Sequence, residues 1–165
     1  MDLSADVVTC VRTRLEDLKR RLVATLGRMS PEDLTWRPNR ESNSASNLVV
    51  HICGNLRQRF HAGLGGAPDV RDRDAEFAAS GAWTTADLIV LVQRTFADVD
   101  GILESLPAHR LGEEQMIRAK PTTVLDVLIR VVEHISEHVG QVIYIAKARL
   151  GEEFETLSIP RATGR

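Results

Sequence analysis

Four stretches of this chain repeat their apolar residues at intervals of three and four, and that periodicity restricts the fold more than any other feature. Residues spaced in this way share one face of an α-helix, so each stretch reads as an amphipathic helix with a stripe to bury. The first runs from Asp6 to Arg28 on Val7, Val11, Leu15, Leu18, Leu22 and Leu26, about six turns at ~3.6 residues per turn. The second begins at Ser44 or Ser46, either of which suits an N-cap, and ends at Gly63-Leu64-Gly65-Gly66. The third is capped at Thr84 or Thr85, carries Leu88, Val92, Phe96, Val99 and Leu103, and closes at Pro107. The fourth opens at Pro121-Thr122-Thr123 and runs to Leu150, where Gly151 terminates it.

No convincing strand alternation is present, and Leu111 to Lys120 reads as a turn or a single strand-like piece. The expected fold is all-α, a four-helix bundle. The connections Ser30–Ser46, Ala67–Thr84 and Pro107–Pro121 are long and read as irregular, so a simple up-and-down order is not forced. At 165 residues the chain is expected to be one domain, 1–165, that buries a core without disulfides.

Composition removes several classes of function. A formal net charge of −2 supplies no cationic field for nucleic acid or an anionic membrane. Aromatic residues, at 4%, are too few for a base-stacking platform. The two cysteines, Cys10 and Cys53, form no CxxC pair, which suits free thiols in a reducing compartment. The N-terminus has no basic region followed by an apolar run, and no window approaches a membrane span. A cytoplasmic location is the expectation.

The chemistry-bearing residues are histidines. His134 and His138 are four apart on the fourth helix and stack on one face, an arrangement able to grip one divalent metal. On a helical wheel His138 falls on the flank of the apolar arc and His134 lies about 40° further out. His51 occupies the equivalent boundary of the second helix, beside an apolar arc of about 140°, with Asn55 one turn on. It is the expected third ligand, and facing helices of bundles build metal sites in this way. The alternatives are solvated histidines, or core histidines bonded within the protein. Zinc, nickel and iron would each accept three imidazoles, and open positions would make the site catalytic in type rather than structural. Cys53 is nearly opposite His51 on the wheel, His61 and His109 read as surface residues, and Glu133 and Glu137 point away from the pair.

Taken together, His51 and His134-x-x-x-His138-x-Gly140-Gln141 resemble the DinB/YfiT-like superfamily of metal-binding four-helix bundles. More narrowly, Trp36-x-Pro38, Glu41-Ser42-Asn43-Ser44, His51-x-x-Gly54-Asn55 and Arg71-Asp72-Arg73-Asp74-x-Glu76-Phe77 resemble a branch known only as a domain of unknown function. The resemblance spans nearly the whole chain. It implies long crossover connections, a divalent metal held by His51, His134 and His138, and a homodimer. Characterised members of the superfamily include thiol S-transferases that use bacillithiol, mycothiol or related cofactors, and a maleylpyruvate isomerase.

The resulting expectation is a metal-dependent thiol S-transferase acting on a small molecule, with zinc, nickel or iron and a low-molecular-weight thiol. The rival expectations are a metal-dependent hydrolase and a non-catalytic, stress-response protein that binds metal or a small molecule. Asn55, Asn43 and Arg73 are the candidate pocket residues beyond the histidines. Arg73 has a competing reading, an ion-pair network with Asp72, Asp74 or Glu76.

Overall fold

In the computed structural model, which describes residues 3–78, 83–117 and 120–157, all four periodic stretches are helical. They are α1 (Leu3–Leu26), α3 (Ala45–Arg57), α5 (Thr85–Glu104) and α6 (Val124–Leu150). Two short helices, α2 (Pro31–Thr35) and α4 (Arg73–Ala78), and a hairpin of β1 (Glu114–Ile117) and β2 (Lys120–Thr123) lie between them.

Helices α3, α5 and α6 start where a side-chain hydroxyl accepts an otherwise unpaired backbone amide. Ser44 caps α3 by accepting from the Asn47 amide at 3.2 Å. Thr84 and Asp87 form a reciprocal capping box on α5, and Thr123 accepts from the Asp126 amide at the head of α6. Gly151 closes α6 with φ at 57°, a backbone region that an L side chain resists.

The stripes meet in one core. Leu22, Leu26, Ile52, Leu56, Leu128 and Ile135 are fully enclosed, each contributing roughly 1.5–3 kcal/mol of burial. Helix α1 packs on α5 and α6, and α3 packs on the same two. The consecutive long helices α1 and α3 are therefore diagonal, and the chain crosses the bundle between Leu26 and Ala45. This is the crossover that the family resemblance implied, and it makes α3 and α6 neighbours.

Three departures from the sequence reading have a common cause, which is that elements of four to six residues are too short to display a period. The connection expected to be irregular between Ser30 and Ser46 contains α2, held by a capping box of Ser30 with Asp33. The charge-dense connection contains α4. The stretch expected to be a turn or one strand-like piece is half of a hairpin with Glu114 opposite Thr123, and β2 occupies Pro121 to Thr123 before α6 begins. Residues 79–82 and 118–119 of those connections lie outside the described residues. Helix α3 also continues as a π-helical segment, Gln58–Leu64, up to the glycines expected to end it.

Helix α2 is tied to the far end of α6. Arg149 donates from Nε to Asp33 Oδ1 at 2.7 Å and from a terminal nitrogen to Glu32 at 3.0 Å. Burial alone would raise the Asp33 carboxyl, but hydrogen bonds from Arg149 and Ser30 outweigh it and hold the group below its usual value of 3.8. The ionised form thus stabilises the fold fully above that value, and the contribution is lost as pH falls through the lower native value. Asp33→Ala is expected to lower stability by roughly 1–2 kcal/mol at neutral pH, a fall of about 2–8 °C in Tm. Thermal melts followed by circular dichroism should show this difference shrinking as the pH is taken below 3.8.

Candidate metal centre

Three imidazoles from α3 and α6 converge at the seam between those helices. His51 and His134 bring their Nε2 atoms to 3.1 Å, and one ring nitrogen from each of His51, His134 and His138 lies within 4.8 Å of the others. The ring centroids of His134 and His138 are 4.3 Å apart, and those of His51 and His138 are 5.0 Å apart. Nitrogens at the corners of a tetrahedron around zinc, with bonds of ~2.0–2.1 Å, would stand about 3.4 Å apart, so the shorter spacing already suits a shared ion.

The far side of two rings decides which nitrogen keeps its lone pair. His51 Nδ1 lies 3.0 Å from Glu76 Oε2 and 3.1 Å from a terminal nitrogen of Arg71. That nitrogen already donates to Glu76 Oε2 at the shorter distance of 2.7 Å, and a carboxylate only accepts, so Nδ1 is assigned the proton and Nε2 presents its lone pair to the seam. His138 Nδ1 lies 2.8 Å from Gln141 Oε1, and by the same reasoning its Nε2 is left unprotonated. With Nδ1 protonated on His51, the close pair of Nε2 atoms needs a proton on His134 or a cation between them. A hydrogen-bond acceptor behind the imidazole, as His51 and His138 have, is the arrangement seen where protein histidines ligate metals. The residues present therefore fit a divalent ion.

Burial keeps His51 and His134 neutral. Burial pushes His134 down to about 4, assisted by repulsion from His138, His51, Arg71 and Arg59. Burial also lowers His51, and the bond to Glu76 opposes the shift without reversing it. Part of the reason is Arg71, which donates from Nε to Glu76 Oε1 and from a terminal nitrogen to Oε2, both at 2.7 Å. The carboxylate is charge-compensated, so it can orient His51 without drawing it to imidazolium.

This supporting pair is largely buried, with side-chain exposures of 5% for Arg71 and 7% for Glu76. Gln58 accepts a further bond from Arg71 at 2.9 Å. Glu76 presses on the backbone of α3 at Gly54, where a Cβ would overlap its Oε1 and stand 2.7 Å from its Cδ. Only glycine admits the carboxylate there. Helix α4, which carries Glu76, is held down by Asn47, whose amide donates to the carbonyls of Glu76 and Phe77 at 3.1 and 3.3 Å.

His51 and His134 open onto a cleft of about 410 Å³. Asn55 and Arg73 line it. Asn43 does not: it lies in a separate cleft of about 540 Å³ beside Gln141 and Tyr144. The proposed network for Arg73 is corrected, because the partner of Glu76 is Arg71 and the Arg73 guanidinium instead lies over the Phe77 ring at 4.9 Å. Glu133 and Glu137 are also corrected. Both line the cleft with His51 and His134, since the groove is open at the surface and exposed neighbours of the ligands frame its rim. Cys53 is buried away from the centre, with its thiol pushed up to about 12 by burial. His61 and His109 take no part in the cluster.

Two solved structures share this architecture. The crystal structure of a DinB-like protein, YjoA, from Bacillus subtilis superposes with a TM-score of 0.69 at 19% identity, covering 88% of this chain and 95% of that one. A conserved protein from Enterococcus faecalis gives a TM-score of 0.66 at 18% identity, covering 91% and 96%. At such identities the likeness establishes the fold alone, one shared with that DinB-like protein. The sequence is more specific: residues 2–163 match the family described as a protein of unknown function, DUF1572, and the chain belongs to that family. Among curated proteins none matches.

Gly54→Ala is expected to push Glu76 off His51 Nδ1 while leaving all three histidines in place. Loss of such a support typically weakens metal binding about 10–100-fold. Competition titration against a zinc-sensitive dye measures the affinity, with far-ultraviolet circular dichroism confirming that the variant is helical.

Proposed function

We propose that His51, His134 and His138 hold one divalent ion, zinc, nickel or iron, and that the chain is a metal-dependent thiol S-transferase for a small-molecule electrophile. The observation that carries this reading is the orientation of the imidazoles: Glu76 and Gln141 occupy Nδ1 of His51 and His138, and the three rings converge beside a cleft that His51 and His134 line. A divalent ion there would lower the pKa of a bound thiol, supplying a nucleophile at neutral pH. The chain's own thiols are unsuited to that part. Cys53 is enclosed and its thiol is held up near 12, while Cys10 lies on the exposed side of α1. The thiol would therefore come from a low-molecular-weight cosubstrate, as in the thiol-using members of the superfamily.

A metal-dependent hydrolase is the second reading, favoured by the two exposed carboxylates, Glu133 and Glu137, at the rim of the same cleft. In that case a carboxylate would take the proton from water. Pairing of two copies is part of the proposal as well. Leu125, Ile129 and Tyr144 are exposed on α6 and are the candidate contacts for a second copy.

Protein purified without a histidine tag and incubated with zinc, nickel or ferrous iron should retain close to one equivalent of metal by elemental analysis. His134→Ala should retain almost none with its helicity preserved, and equal retention would remove His134 from the ligand set. With monobromobimane as electrophile, the metal-loaded protein should accelerate alkylation of a small thiol, and stripping the metal with a chelator should abolish the effect. Metal binding without thiol transfer would favour the hydrolase or a purely binding role.

A further inference from the structure

Resting on that reading of the cleft, we infer that it recognises an oxyanion on the substrate, a carboxylate or phosphate, through Arg59, Arg73 and Arg130. These guanidiniums come from three separate elements, the π-helical extension of α3, the first residue of α4, and α6, yet line one cleft with His51 and His134. Arg71 lines it too, but both oxygens of Glu76 accept from it, so its charge is matched within the protein.

The donors of Arg73 are accessible for a physical reason. Its guanidinium lies over the Phe77 ring, and Phe77 in turn packs on His51 with centroids 4.9 Å apart. A face-stacked guanidinium is held in position while its in-plane N–H groups remain available, the fork that matches a carboxylate or phosphate. Among the described residues Arg73 has no hydrogen-bond or ion-pair partner. Arg130 donates from Nε to Asp126 at 2.7 Å, leaving its two terminal nitrogens for another acceptor.

Asn55 is a second, independent indication that the cleft takes a polar ligand. It lines the cleft, is only 8% exposed, and its side-chain amide has no hydrogen-bond partner among the described residues. Its amide reaches the cleft rather than being sealed in the core, so its N–H groups are open to a ligand oxygen.

Glu133 and Glu137 oppose an anion, and both belong to α6. The wall built from the α3 extension and α4 carries arginines alone, so an oxyanion would lie against that wall. Three neutral imidazoles would also leave the two positive charges of a divalent ion uncompensated, which adds to the same preference.

Cobalt-loaded protein gives a direct readout, because a thiol that ligates cobalt produces a charge-transfer absorption band. Titration with 2-mercaptosuccinate and with 2-mercaptoethanol compares a thiol carrying carboxylates with one carrying none. Wild type should bind mercaptosuccinate roughly tenfold more tightly, and Arg73→Ala or Arg59→Ala should reduce that ratio at least about threefold while mercaptoethanol binding holds. Equal affinity for the two thiols, or variants that weaken both alike, would overturn the assignment. If the protein takes up no cobalt, the metal reading fails by itself. The oxyanion site is then read by calorimetric titration of metal-free protein with succinate and with inorganic phosphate. Binding that is lost in the triple Arg59→Ala, Arg73→Ala, Arg130→Ala variant supports the site and separates the two anions, whereas absence of binding overturns it.

Discussion

The buried contact among Arg71, Glu76 and His51 is the constraint on which the rest of the centre depends. A carboxylate placed in the interior alone would be strongly disfavoured, and a guanidinium likewise. Each is tolerable because the other is present with near-ideal geometry, two bonds of 2.7 Å spanning both carboxylate oxygens. The pair then presents one oxygen to His51 Nδ1, so an electrostatic necessity also fixes a tautomer. Gly54 provides the space, Asn47 anchors the helix that delivers the carboxylate, and Gln58 accepts from the remaining arginine edge. Removing Arg71 or Glu76 would leave an unpaired charge in the interior rather than merely deleting a contact.

How far these features could be read from sequence depends on the distance over which each is encoded. The long helices and their caps are local, written in periods of three and four and in single hydroxyls at Ser44, Thr84 and Thr123, and they were legible. The pairing of His134 with His138 is one helical turn, and His51 was legible because it takes a matching boundary on a facing helix. The support for His51 was not. Arg71 to Phe77 alternates charges so densely that sequence does not say which ones turn inward, and Arg73 looked as good a partner for Glu76 as Arg71 does. The choice is made by Gly54, twenty residues earlier, whose missing side chain admits the carboxylate.

Wheel geometry misjudged Glu133 and Glu137 for a different reason. A wheel assigns direction at Cβ and ignores the shape of the neighbouring surface. The α3–α6 seam opens into a shallow groove, so exposed side chains adjacent to a ligand line its rim even when they point away from the bundle axis. Gln141 is an instructive case on the same helix. It reaches His138 from three residues on, the separation at which side chains on a helix meet.

The diagonal placement of α1 and α3 has a mechanical consequence. All three histidines come from α3 and α6, so α1 and α5 support the cluster without contributing a histidine to it. One residue of helix advances about 1.5 Å, and two nitrogens at 3.1 Å would not survive a slip of even that size between the two helices. The histidines therefore act as a vernier on the sliding of α6 against α3. An ion seated there would lock one axial register of the bundle, and any motion that shears those helices would have to break the lock first.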